Sequence, residues 1–137
     1  MIRVPTTGTI VIVDDDDTER MILSRVLAMS CLDNPITEFS SAISFLSAID
    51  KGEGSTFSLV MMDINMPGMT GFEALDEVRG TRSLDSPLIA LMVATAQAHD
   101  DIARARSLGA NLCIAKQSGI SAFIAEINNN FEPAAHG

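Results

Sequence analysis

Five short apolar runs, each followed by a stretch of helical character, restrict the fold of this chain more than any other feature. The runs are Thr9–Val13, Ile36–Phe39, Phe57–Met62, Leu88–Ala94 and Asn111–Ala115. Most are apolar at successive positions, the pattern of a strand buried on both faces. The intervening sequence predicts helices at about Thr18–Met29, from Ser40 or Ser41 through Ile49, at Gly71–Arg79, Ala98–Leu108 and Ile120–Asn130. Asp17 or Thr18 serves as the first N-cap, with Met21, Ile22, Val26 and Met29 as the core-facing stripe. Ile43, Leu46 and Ile49 repeat along the second helix, and Gly109 suits the position just past the fourth. In the fifth, Ile120, Phe123, Ile124, Ile127 and Phe131 share a face. Strands alternating with helices imply an α/β fold, a doubly wound five-stranded parallel sheet with five flanking helices.

With 137 residues, the chain has the size of one domain. The folded unit is expected over residues 9–131, with a loose arm at 1–8 and a loose tail at 132–137. Eighteen acids against nine Lys and Arg give a net charge of −9, which argues against direct binding of nucleic acid. No apolar run approaches a membrane span, and the first residues lack the pattern of a secretion signal, so a cytoplasmic location is expected. Cys31 and Cys113 lack metal-ligand spacing and His99 and His136 lie far apart, so reduced, buried thiols are expected and no zinc site is indicated.

In a doubly wound sheet the C-terminal ends of the strands lie along one edge, where such folds place their ligand chemistry. Here the first strand runs into Asp14–Asp17 and the third into Asp63, followed by the turn residues Asn65, Pro67, Gly68 and Gly71. The fourth ends at Ala94 and Thr95, and the fifth at Lys116. Singly, each has a plain structural reading. Asp63 caps a strand, Asp14–Asp17 form a solvated helix N-terminus favoured by the dipole, and Lys116 is a surface charge. Met66 and Met69 read as packing residues. Acids and a lysine arriving at one edge from different strands are harder to explain by structure alone.

The motifs I-V-I-V-D-D-D at 10–16, V-M-M-D-I-N-M-P-G-M-T-G at 60–71 and L-G-A-N-L-C-I-A-K at 108–116 resemble those of the receiver domain of two-component response regulators, the single-domain chemotaxis-regulator type included. The resemblance implies a flavodoxin-like strand order, 2-1-3-4-5. It implies a phosphorylation switch for protein–protein signalling, rather than an enzyme acting on a separate substrate. Asp63 is then the phospho-acceptor, taking its phosphoryl group from a sensor histidine kinase or a phosphotransfer protein. Mg2+ is the implied cofactor, held directly by Asp15, through water by Asp14, and by Asp63 and the backbone carbonyl of Asn65. Lys116 is the implied cation. The family's strand-end hydroxyl maps to Thr95 by residue type, but to Ala94 by a gapless count back from Gly109. The output is an unknown downstream protein, and a homodimer stays open.

That chemistry needs these residue types. Carboxylates crowded in one cleft repel and raise each other's pKa, and a hard divalent cation with oxygen ligands relieves the repulsion. Asp63 serves as nucleophile, while Mg2+ and the Lys116 ammonium neutralise charge on the transferring oxygens. Two departures from the family stand out. Lys116 is followed by Gln117-Ser118-Gly119 and not by proline, as in the small receivers paired with phytochrome-type kinases. A cis bond before Gln117 costs roughly 3 kcal/mol more than a trans one, so a trans bond is expected. Cys113 stands where the family has a switch aromatic, so output coupling through that aromatic does not carry over.

Two rival readings remain. A pseudo-receiver, a protein-binding module that is poorly phosphorylated, follows if Ala94 occupies the hydroxyl position. A haloacid-dehalogenase-like phosphatase fits the text at 10–18, with Asp14 as nucleophile, Asp16 as acid/base and Thr18. It leaves the motif from Asp63 to Gly71 unexplained and lacks a later acidic pair at a strand end.

Overall fold

The computed structural model describes residues 1–94 and 99–135. Its strands are β1 (Ile2–Val4), β2 (Thr9–Val13), β3 (Ile36–Phe39), β4 (Phe57–Asp63), β5 (Leu88–Val93), β6 (Leu112–Ala115) and β7 (Phe131–Pro133). Its helices are α1 (Asp17–Ala28), α2 (Ala42–Asp50), α3 (Gly71–Asp76), α4 (His99–Ser107) and α5 (Ile120–Asn130). The main sheet is parallel throughout, in the order β3-β2-β4-β5-β6. Counted over its own five strands, that is the 2-1-3-4-5 order implied by the sequence.

Successive residues of a strand face opposite sides, which explains the continuous apolar runs. On one side Val11, Val13, Val60, Met62, Ile89 and Leu91 pack with residues of α2 and α3. On the other, Ile10, Ile12, Leu59, Met61 and Met92 pack with residues of α1 and α5. All seven residues of β4 are buried, so the strand carrying Asp63 is held from both faces.

The structure corrects the first helix. Its N-cap is Asp16, whose side chain accepts from the backbone N–H groups of Thr18 and Glu19. Its buried residues are Leu23, Val26 and Leu27, whereas Met21 and Met29 are 59% and 62% exposed. Two stripes of helical spacing compete in this segment, and the leucines win. The third helix is also shorter than expected. A reciprocal capping box of Thr70 and Glu73 starts it, and after Asp76 it continues as a π-helical turn, Glu77–Thr81. That turn presents Arg79, whose guanidinium donates to the carbonyls of Gly109 (3.0 Å), Leu84 (3.2 Å) and Pro87 (2.8 Å) and to Asn111 Oδ1 (2.9 Å). Asn111 Oδ1 also accepts from the backbone of Ile89, so this residue, read as part of the last strand, tethers β5.

The two chain ends differ from their expected loose state. β1 and β7 pair in parallel as a small second sheet, with Ile2 opposite Phe131 and Val4 opposite Pro133. Val4 and Phe131 are buried in the core beside α1 and α5. No described helix is long and apolar enough to cross a membrane.

Two stability effects follow. Arg79→Ala removes four hydrogen bonds of one half-buried cation and is expected to lower unfolding free energy by about 2 kcal/mol in urea titrations. Phe131→Ala empties a fully buried aromatic site and is expected to cost about 3–5 kcal/mol by the same measurement.

Candidate functional site

Val13 of β2 lies level with Met62 of β4, so the next residues, Asp14 and Asp63, leave adjacent strands side by side. Asp14 is 2% exposed and Asp63 is 8% exposed. Asp15 points to the exposed side, and each of Asp14, Asp15 and Asp63 offers a carboxylate oxygen within 4.8 Å of the others. Backbone geometry fixes the two buried acids. The N–H of Asp16 donates to Asp14 Oδ1 at 3.0 Å, and that of Asn65 donates to Asp63 Oδ1 at 3.3 Å. Asn65 itself is exposed beside the cleft.

The loop after Asp63 is folded tightly onto its own strand. The Gly71 N–H donates to the Ile64 carbonyl at 3.0 Å, and a Cβ at Gly71 would lie 2.5 Å from the Asp63 carbonyl oxygen. Only glycine permits that approach.

Lys116 follows β6, two strands away from β4, a separation of about 10 Å at ordinary strand spacing. Its backbone N–H donates to the Val93 carbonyl at 2.8 Å, and a long side chain is needed to cover the rest. The ammonium reaches Asp63 Oδ2 at 3.4 Å and Asp14 Oδ2 at 3.5 Å. It also reaches Glu19 Oε2 at 3.5 Å. Burial pushes the Asp63 carboxyl above its ordinary range, with Lys116 and the Asn65 N–H pulling it back. Burial alone would lower the Lys116 ammonium, but Asp63, Asp14 and Glu19 outweigh it and hold it above the usual lysine value.

Two participants escaped the sequence reading, Glu19 and Arg20. Both sit in the first turn of α1, which starts at the strand edge, and helical side chains lean toward the N-terminus. Arg20 donates to the Asp14 carbonyl at 2.6 Å and pairs with Asp17 and Glu38. The signal was their place three and four residues after the Asp16 cap.

The remaining predicted positions fall as follows. β5 ends at Val93, and Ala94 is exposed just beyond it. Thr95 lies outside the described residues. The bond after Lys116 is trans, as expected, and the Gln117 side chain donates to the Ala115 carbonyl at 3.1 Å. Neither thiol is fully buried as expected: Cys31 is exposed, and Cys113 is partly buried, where burial, helped by Asp101, pushes its thiol pKa up. Asp16, the acid/base of the phosphatase reading, is engaged as the α1 cap.

Known proteins resemble this chain in sequence and in fold. Over 123 residues the chain is 32% identical to the chemotaxis protein CheY of Pseudomonas aeruginosa, covering 90% of this chain and 95% of that protein. It is 39% identical over 85 residues to the two-component response regulator ARR2 of Arabidopsis thaliana, 62% of this chain but only 12% of that protein. The phosphorylated cyanobacterial phytochrome response regulator RcpA has the same fold, with a TM-score of 0.76, 19% identity and 90% of both chains covered. The family model for the response regulator receiver domain matches residues 10–128. This chain therefore belongs to the response regulator receiver domain family, whose members work in phosphorylation-based signalling.

Proposed function

We propose that this receiver is phosphorylated on Asp63 by a sensor histidine kinase or a phosphotransfer protein, and that the modified form is read by a downstream protein. The supporting observation is the single ammonium of Lys116 lying between two buried carboxylates of the same cleft. An Asp63 carboxylate oxygen attacks the phosphorus of a phosphohistidine, the N–P bond breaks, and the imidazole leaves with its electron pair. Lys116 neutralises charge on the transferring oxygens, and the N–H groups behind Asp14 and Asp63 keep both carboxylates aimed into the cleft. Later attack of water on phosphorus releases inorganic phosphate and restores Asp63.

The donor set fits Mg2+. Three carboxylates meet within 4.8 Å, one of them exposed, an oxygen-rich group suited to a hard cation that keeps several waters. Asp15, Asp14, Asp63 and the Asn65 backbone carbonyl would hold it. When bound it supplies charge neutralisation at the phosphoryl oxygens. Signalling between such partners fits a cytoplasmic protein.

A pseudo-receiver is the second reading, and one observation favours it. Ala94 offers no hydroxyl at the end of β5.

One experiment separates the readings. With Mg2+ and acetyl phosphate or a phosphoramidate, intact-mass analysis should show one added phosphoryl group, mapped to Asp63 and absent from Asp63→Asn. Label on Asp14 would support the phosphatase reading, and no label on folded protein would support the pseudo-receiver. In a second experiment, Asp15→Ala should weaken Mg2+ binding at least about tenfold by calorimetry, and unchanged affinity would remove Asp15 from the metal site.

A further inference from the structure

Lys116 meets three carboxylates at nearly equal distances, 3.4 Å from Asp63 and 3.5 Å from both Asp14 and Glu19. All three exceed the roughly 2.7–2.9 Å of a tight charge-assisted bond. Asp14 and Asp63 alone, both buried, would draw the ammonium down into the cleft. The third acid acts from the solvent side, its side chain 46% exposed. Glu19 is not one of the three acids that cluster for a metal. Its backbone is fixed, since its N–H donates to Asp16 Oδ1 at 3.0 Å in the α1 cap. That fixes where the side chain starts, and its carboxylate reaches Lys116 from the exposed side.

We infer that Glu19 is a positioning residue for Lys116, holding its ammonium midway so that it does not close on Asp63. This goes beyond the assigned site and rests on the Asp63 reading only for its kinetic consequence. In the resting protein Glu19 competes with Asp63 for the same cation. Removing Glu19 lets Lys116 close on Asp63, and a carboxylate paired tightly with a cation is a weaker nucleophile, so phosphorylation becomes slower. A merely solvated acid in the first turn of a helix, favoured by the dipole, would leave Lys116 undisturbed.

The test compares Glu19→Gln, Glu19→Asp and the control Asp17→Asn. The aspartate keeps the charge but is one methylene too short to hold Lys116. The control removes a charge of the same sign from the same helical turn, from a residue paired with Arg20. Two readouts are taken. One is the Lys116 side-chain 13Cε and 15Nζ resonances at constant pH, without metal or phosphodonor. The other is the rate of Asp63 labelling by acetyl phosphate at saturating Mg2+.

Both Glu19 variants should displace the Lys116 resonances and lower the labelling rate about two- to fivefold, the range of a partly exposed ion pair. Asp17→Asn should change neither. The rate difference should also persist at about 0.5 M salt, where long-range repulsion is screened. Lys116 resonances unmoved in both Glu19 variants would overturn the assignment. So would a Glu19→Asp protein that behaves like the parent while Glu19→Gln does not, since charge alone would then account for the effect. If the parent takes no label, the phospho-acceptor reading fails by itself, and the resonances decide the role of Glu19.

Discussion

Two carboxylates forced side by side set the terms for the rest of this structure. Asp14 and Asp63 follow residues paired in register on neighbouring strands, and both are buried. Two unit charges about 5 Å apart at an effective dielectric near 20 repel by about 3 kcal/mol. That cost recurs whatever else the chain does, because the strand order and the apolar faces of β2 and β4 allow no other placement. A cation must be supplied from elsewhere, and the topology leaves the end of β6 to provide it. Lys116 has the length to reach across β5, which a shorter basic group at that position would lack.

The surrounding fold keeps this cluster from relaxing apart. β4 is buried at every position, so Asp63 cannot back away from Asp14 without opening the core. Gly71 lies against the Asp63 carbonyl and locks the following loop to the strand. Below the cleft, Arg79 gathers four acceptors, from Leu84, from Pro87 just before β5 and from Gly109 and Asn111 between α4 and β6, which fixes the strand that Lys116 must cross. These contacts are structural in themselves, yet each removes a way for the charged groups to separate.

The sheet and the acids at its edge were legible because both rest on strong local patterns. Apolar runs of strand length ended in acids or lysine, and strand alternation with helices dictated where those ends meet. The small sheet of β1 and β7 was not legible, since three-residue strands containing Arg3, Glu132 and Pro133 carry no periodic signal. The face of α1 was misread for a different reason. Met21, Ile22, Val26 and Met29 satisfy helical spacing as well as Leu23, Val26 and Leu27 do, and only packing against β2 and α5 selects between them. Glu19 was missed because its partner lies 97 positions away in the chain and on a different strand end. The hydroxyl question at Thr95 falls outside the described residues.

Helix α4 meets both β6, where Cys113 sits, and Phe72 of α3. Phe72 follows directly on Gly71, so the segment that locks the Asp63 loop also carries this ring into the core. The Arg104 guanidinium of α4 lies over the Phe72 ring at 4.3 Å. Such a stack at a partly exposed site is worth about 0.5–1 kcal/mol, too little to define the fold but comparable to the differences that set populations of two loop arrangements. Ala105 is the buried residue of α4. Helix α4 thus touches both β6, the strand that holds Cys113, and the start of α3, which follows the Asp63 loop.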